Sequence, residues 1–490
     1  MKKIILLIIF VFAFTLMLFS AKMDSITTDE GVHIFSGYTY LTQRDFRLDP
    51  EHPPLLKELG AFPLLFTKNL NYTLGQSWEK AGNFYYDSWQ EARYLGDDFI
   101  ANNSESIIIY SRIIFILLTL ILGAFSYFWA KKLYGEKAGI FAAFLILFLP
   151  NILARGRLIN TDLGLTLFFF MAIYFWGKFL KEPKLSNIVF SGVFLGLVLA
   201  SKFTGIIIIP IFVILIIIKL ILQKSWQNWS KYLLGFILSG LISFIIIWGT
   251  YGFSLKTPPE LNFTKAMSYI SVSYYDNYNK IRPVIFPADY FKGLAMVKTH
   301  ALGGQNAYLL GKTSIIGWWY YFPVAIFYKT PIPIFILLIL SIIYFRKIKA
   351  KDKFDEYLIL TPLIVFLLFA MISKANLGVR HVLPIFPFLI LFISKSINLI
   401  DFKKWRLATI GFIVLIFWYL LSAILPFPYY IAYFNEFAGG PGGGYKILTD
   451  SNLDWGQDVF RIKDYMQENN ITMPYLVYNW DGDQYLRKNG

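Results

Sequence analysis

Ionisable side chains are sparse in this chain, and they are most informative where they border apolar runs. Asp29-Glu30, Glu51-His52 and Lys57 follow the first such run, and Arg112 lies just inside the next. Arg155, Arg157 and Asp162 share one short connection, Lys202 sits in another, and Arg380-His381 precede a late apolar run. Carboxylates mixed with Lys and Arg at the edge of a bilayer suit a lipid-linked phosphate. Guanidinium and ammonium groups neutralise phosphate oxygens, and a carboxylate can take the proton from an acceptor hydroxyl. The chain has no Gly-rich phosphate loop, no dinucleotide fingerprint and no Gly-x-Ser-x-Gly elbow. A donor built on a lipid phosphate, rather than a nucleotide, fits that absence.

These residues must be positioned by apolar elements. Of 490 residues, 56% are hydrophobic and 16% are charged, against about 45–50% and about 25% in soluble domains. A soluble enzyme, a disordered regulator and a disulfide-stapled secreted domain are excluded, the last because there is no Cys. The net charge of +15 is spread as short Lys/Arg clusters between apolar runs, which argues against nucleic acid as a partner. The expected fold class is an all-α polytopic membrane protein. Eleven spans are expected, at 4–20, 107–130, 138–154, 163–180, 187–201, 205–222, 232–252, 321–345, 356–373, 382–399 and 407–425. Phe19-Ser20-Ala21 is a poor cleavage site, so the first run reads as an uncleaved span.

Charge sets the expected orientation. With the N-terminus in the cytoplasm, the inner loops hold Lys131, Lys132, Lys137, Lys181, Lys184, Lys224, Lys231, Arg346, Lys347, Lys349, Lys351, Lys353, Lys403, Lys404 and Arg406. The short outer loops hold only Arg155, Arg157, Lys202, Lys374 and Arg380, the asymmetry the positive-inside rule demands. Residues 1–425 then form the membrane domain, with long outer loops at 21–106 and 253–320, and 426–490 form an outer C-terminal segment. That segment opens with the Gly-rich run 439–444, expected to be a flexible hinge. It reaches Gly490 without an obvious closing element, as an incomplete segment would. Within the first loop, Leu55 to Phe66 is expected as a short surface helix started by Pro53-Pro54. All four histidines, His33, His52, His300 and His381, fall on the outer side.

Several stretches, in order along nearly the whole chain, resemble the phospholipid-carrier-dependent glycosyltransferases of the GT-C superfamily, relatives of protein O-mannosyltransferases and aminoarabinose transferases. They are Thr28-Asp29-Glu30-Gly31-Val32-His33-Ile34, Asp49-Pro50-Glu51-His52-Pro53-Pro54-Leu55 and Gly156-Arg157-Leu158-Ile159-Asn160-Thr161-Asp162. Gly317 to Pro323, Asn376 to His381, Tyr433 to Glu436 and Asp450 to Asp458 continue the series. The resemblance implies a membrane enzyme that uses a polyprenyl-phosphate sugar at the extracytoplasmic face of a bacterial or archaeal cell membrane. It implies Asp29 as catalytic base, with Glu30 completing that motif and Asp162 as the second carboxylate. Lys57, Arg112, Arg157, Lys202, Arg380 and His381 become candidates for the donor phosphate. Glu51 and His52 become candidates to hold a divalent metal ion or that phosphate.

Each assignment has a plainer competitor. Asp29 and Asp162 could cap helices, Lys202 could reach along the lipid interface, and Glu51-His52 alone do not define a metal site. Two other functions remain open on the residues alone: a polymerase or ligase of lipid-linked oligosaccharides, and a transporter of the lipid carrier. Asp450-x-Asn452-x-Asp454 mimics a calcium loop, but Trp455 and Arg461 occupy positions that such a loop reserves for Gly and Glu. Gln305-Asn306 stand where many relatives carry Gly-His, a departure that bears on substrate preference. The sugar and the acceptor (protein, lipid or polysaccharide) are not specified by the sequence.

Overall fold

The computed structural model describes residues 2–83, 85–224, 226–256, 280, 286–401 and 407–472. Lys403, Lys404 and Arg406 lie outside the described residues, as do most of 253–285 and the end of the C-terminal segment. The expected apolar runs are largely helical, since a helix satisfies its backbone hydrogen bonds internally, but two of them are broken at proline. Among the described residues, seven helices are long and apolar enough to cross a membrane, and they include Lys2–Met23, Ser106–Tyr134, Thr161–Lys181 and Lys353–Ile372. The expected count of eleven is not reached by length alone. Leu185–Leu199 and Ile385–Leu399 are shorter, and the 138–154 run forms Glu136–Leu147 and then Pro150–Arg155, interrupted before Pro150. The 321–345 run is Tyr321–Lys329 and Ile332–Ile343, bent by 108°. Pro331 and Pro333 account for that bend, since neither has an N–H to continue the upstream helix.

Thr161–Lys181 is the axis of the bundle: 83% of its most apolar window is buried, against 22% for the peripheral Trp229–Thr250. Its neighbours approach closely through rings and small residues. Trp176 stacks on Phe212 with centroids 4.4 Å apart, and Phe175 lies parallel to Phe194 at 5.0 Å. The central position matters because the helix begins at the site, with Asp162 in its first turn.

The first outer loop is itself helical, with Glu30–Gln43, Leu55–Ala61, Gly75–Asn83 and Tyr85–Ala101. The expected helix from Leu55 forms and tightens into a 3-10 turn over Phe62–Phe66, but it does not simply lie on a surface: Leu56, Lys57, Gly60 and Ala61 are buried. The Gly-rich run is also a correction. Instead of an open hinge, Pro441–Lys446 folds as a 3-10 turn. A Cβ on Gly443 would lie 1.8 Å from the Ala438 carbonyl oxygen, and one on Gly444 would lie 2.3 Å from the Phe434 ring. Those glycines allow close packing of the turn. An antiparallel pair, Ala307–Leu309 with Lys312–Ser314, completes the described outer structure, and Leu310 N–H donates to the Ile447 carbonyl at 2.9 Å.

Candidate active site

The segment from Asp24 to Glu30 joins the first span to the first outer helix, and three other regions close on it. The C-terminal segment is bonded along its length: Ser25 N–H donates to the Gln457 carbonyl (3.1 Å), Thr28 N–H to the Trp455 carbonyl (2.8 Å), and Ser25 Oγ to the Gly456 carbonyl (2.8 Å). Asn452 Oδ1 receives the Val379 N–H at 3.0 Å, and Ser451 Oγ donates to the Leu377 carbonyl at 3.0 Å. Gly378, at φ 151°, permits that approach, since a Cβ there would sit 2.9 Å from Ser451 Oγ.

Asp29 opens the helix Glu30–Gln43 but makes no side-chain cap. Its Oδ2 instead accepts from Arg380 Nη1 at 3.0 Å, with 29% of the Asp29 side chain and 14% of the Arg380 side chain exposed. Burial raises the Asp29 carboxyl, but Arg380, His33 and His52 together outweigh it and hold the group below its ordinary value. It is therefore ionised at neutral pH and within reach of solvent.

Asp162 is likewise free of the capping duty considered above. The cap is Asn160, whose side chain accepts from the Asp162 and Leu163 N–H groups, both at 3.0 Å. The Asp162 carboxylate meets Lys202 Nζ through Oδ1 at 2.6 Å, and its buried Oδ2 has no hydrogen-bond partner among the described residues. Lys202 thus points inward rather than along the lipid interface. His381 feels Lys202, Arg380, Asp162 and His52, and burial followed by the two cations holds it well below the usual imidazole value. Its Nε2 is buried and unbonded. Asp29, Asp162, Lys202, Arg380, His381 and His52 thus form one electrostatic cluster.

Four other expected residues are placed differently. Glu30 is fully buried and saturated: its carboxylate takes Arg112 Nε (2.9 Å), Arg112 Nη2 (2.5 Å), the Thr27 N–H (2.9 Å) and the Ile159 N–H (3.0 Å). Arg112 also donates to the carbonyls of Ala21, Asp24 and Ser25 at 2.6–2.9 Å. Arg157 donates to Asp24 at 2.5 Å and to Ser20 Oγ at 3.2 Å. Lys57 Nζ is buried between Tyr40 Oη (2.8 Å), the Asp49 carbonyl (2.7 Å) and Asp49 Oδ2 (3.4 Å). Glu30, expected as a catalytic group, and Arg112, Arg157 and Lys57, expected at the donor phosphate, thus all bond to protein groups that hold the loop in place.

The metal expectation also meets an obstacle. The His52 ring packs against His33 with centroids 5.4 Å apart, and His33 Nδ1 lies 3.3 Å from Asp49 Oδ2. Lys57 already engages that Asp49 carboxylate. Among the described residues no three His, Asp or Glu side chains converge as a ligand set. Glu51 and His52 thus gain no third ligand among the described residues, and no step below passes through a metal ion.

Sequence reasoning gave Arg155 no role and did not use Trp455. Arg155 donates to the Ser451 carbonyl, while its neighbour Arg157 turns the other way toward Asp24. The Trp455 ring lies beneath both Arg155 and Arg380. The available signal was the polar run from Asp450 to Asp458, whose place in space no local pattern specifies. Of the histidines, the His300 side chain lies outside the described residues.

The fold has known counterparts. Residues 100–258 match the family model for dolichyl-phosphate-mannose-protein mannosyltransferase. The structure is similar to ArnT from Cupriavidus metallidurans bound to undecaprenyl phosphate, at 12% identity and TM-score 0.58, covering 98% of this chain and 84% of that one. It is similar to the S. cerevisiae protein O-mannosyltransferase Pmt1-Pmt2 complex bound to the sugar donor, at 11% identity and TM-score 0.53, covering 99% and 93%. It is also similar to the Archaeoglobus fulgidus oligosaccharyltransferase in the apo form, at 15% identity and TM-score 0.52, covering 100% of this chain and 59% of that one. No curated protein matches the chain by sequence. The chain shares its fold with these membrane proteins, in line with the resemblance read from the ordered motifs.

Proposed function

We propose that this protein transfers a sugar from a polyprenyl-phosphate donor to an acceptor hydroxyl at the extracytoplasmic face of the membrane, with inversion at the anomeric carbon. The observation that carries the reading is the partly exposed Asp29 carboxylate, held ionised beside Arg380, which also feels Asp162 of the Asp162–Lys202 pair. The similar structures solved with undecaprenyl phosphate and with a sugar donor support the same donor class here.

In this mechanism Asp29 accepts the proton of the acceptor hydroxyl as its oxygen bonds to the anomeric carbon. The bond from that carbon to the phosphate oxygen breaks, and the electron pair leaves on the phosphate. A polyprenyl phosphate is a good leaving group, so no general acid is required. Arg380 and Lys202 stabilise the charge that develops on it. General-base help of this kind is worth about 10²–10⁴-fold.

The test is sugar transfer and donor hydrolysis by purified protein in nanodiscs, with a panel of radiolabelled polyprenyl-phosphate monosaccharides. Asp29→Asn is expected to lose about 10²–10⁴-fold in turnover while melting close to wild type, and EDTA is expected to change neither. Near-normal turnover in Asp29→Asn would overturn the base assignment. Turnover abolished by EDTA and restored by a divalent ion would overturn the metal-free reading.

A further inference from the structure

Trp455 belongs to the C-terminal segment, far in sequence from every residue assigned a role above. Its ring is buried and lies 4.3 Å from the Arg155 guanidinium carbon and 4.5 Å from that of Arg380. Two like-charged groups do not share one neighbour without compensation. Arg155 is opposed by Arg380 and favoured by Asp162, Asp450 and Asp29. The indole supplies what carboxylates cannot: a face of negative electrostatic potential that holds a guanidinium in a fixed plane while leaving its N–H groups free to donate. Those donors are not used up: Arg155 Nη1 and Arg380 Nε are both buried without a hydrogen-bond partner among the described residues.

The ring itself is pinned from the Asp29 side. The Trp455 carbonyl accepts from Thr28 N–H at 2.8 Å and from Thr28 Oγ1 at 3.1 Å, and Trp455 N–H donates to Gln457 Oε1 at 2.7 Å. Gly456 follows at φ 91°, a left-handed conformation that few side chains tolerate. The backbone bonds that seat Thr28 beside the Asp29 carboxylate therefore also seat the indole.

We propose that Trp455 is a positioning residue: its indole fixes Arg155 and Arg380 as a pair with free N–H donors directed at one anionic group beside Asp29. Resting on the donor reading above, that group is the phosphate of the lipid carrier, and the C-terminal segment is part of the site. Substituting the ring by an aliphatic side chain would free both guanidiniums to turn toward the neighbouring carboxylates. A phenyl ring would retain a π face in nearly the same place.

Two measurements test this on the full-length protein in nanodiscs. The first maps phenylglyoxal modification of individual arginines by mass spectrometry in wild type, Trp455→Leu and Trp455→Phe. Arg155 and Arg380 are expected to react several-fold faster in Trp455→Leu and near the wild-type rate in Trp455→Phe. Arg157 and Arg461, which tie Asp24 to its surroundings on the far side, should not change. Unchanged rates at Arg155 and Arg380 would overturn the proposal, and so would a rise at all four arginines, which marks a merely structural tryptophan. The second measurement titrates undecaprenyl phosphate. Trp455→Leu is expected to bind about tenfold more weakly, a loss of about 1.4 kcal/mol, with Trp455→Phe within about threefold of wild type. Equal binding by wild type and Trp455→Leu would overturn the anion-binding part. No binding by wild type would instead count against the donor reading, while the arginine map would still decide the role of the indole.

Discussion

Asp29 and Glu30 are consecutive, equally acidic and part of one motif, yet they belong to two different regions. Glu30 lies in a lock, where the buried carboxylate receives four hydrogen bonds from Arg112, Thr27 and Ile159. Asp29 lies in the site, where the carboxylate has one ion pair and solvent access. Arg157 and Arg155, two residues apart, part in a similar way: Arg157 is tied to Asp24 and Ser20, while Arg155 donates to the Ser451 carbonyl and lies over the Trp455 ring. A buried charge with all its partners supplied fixes geometry. A buried charge with partners missing is poised for a ligand. In a membrane enzyme, saturation separates scaffold from chemistry better than residue type does.

The sharpest way to break the comparison is to open the lock. Arg112→Met leaves Glu30 buried with only its two backbone donors, together with three carbonyls that lose their partner. Removing one member of a buried ion pair costs about 3–5 kcal/mol, so thermal unfolding in detergent should show a large drop in melting temperature. Well below that temperature, the folded fraction should turn over donor at nearly the wild-type rate. A variant that melts normally but fails to use the donor would return Arg112 to the phosphate and remove the distinction between the two regions.

The mirror-image change is made in the site. Arg380→Gln breaks a pair that is partly open to solvent, and exposed pairs contribute about 0–1 kcal/mol. The melting temperature should therefore move little. Turnover should fall by about 10²–10³, the range lost when one donor to a developing negative charge is removed. A large loss of stability with turnover preserved would make Arg380 a second lock.

Much of this was legible in the sequence, and what was not has physical reasons. The apolar runs, and the placing of Asp29, Asp162, Lys202, Arg380 and His381 at one set of their ends, follow from hydropathy and charge, which are local properties. The breaks at Pro150 and Pro331 within two apolar runs were not read from the sequence, because composition averages across a break. Saturation was not legible at all. Whether Lys57 faces a phosphate or Tyr40 and Asp49 depends on how Leu55–Ala61 crosses Glu30–Gln43, where Gly37 admits the Lys57 carbonyl so closely that a Cβ would be 2.0 Å away. Trp455 reaches Asp29 only through tertiary bonds spanning more than 400 residues.

The smallest expected effect probes the boundary between the two regions, at His52. Burial is the largest influence on its imidazole, and with His33, Lys202 and Lys57 it outweighs the attraction of Asp49 and lowers the group from 6.5 to about 4. Between those values the unfolded chain binds a proton that the folded chain does not, so stability is fully present above about pH 6.5 and declines as pH falls toward about 4. Each pH unit in that window is worth up to 1.36 kcal/mol, and from pH 6.5 to 5.5 the loss should be about 1 kcal/mol. His52→Gln should reduce this slope without abolishing it, because His381 is lowered in the same direction by its own burial. The check is melting temperature against pH for wild type and His52→Gln at fixed ionic strength. An identical slope in both would mean that His52 is charged in the folded protein. Its Nδ1, buried and without a partner here, would then have to find an acceptor, and the Asp49 lock beside it would be part of the site.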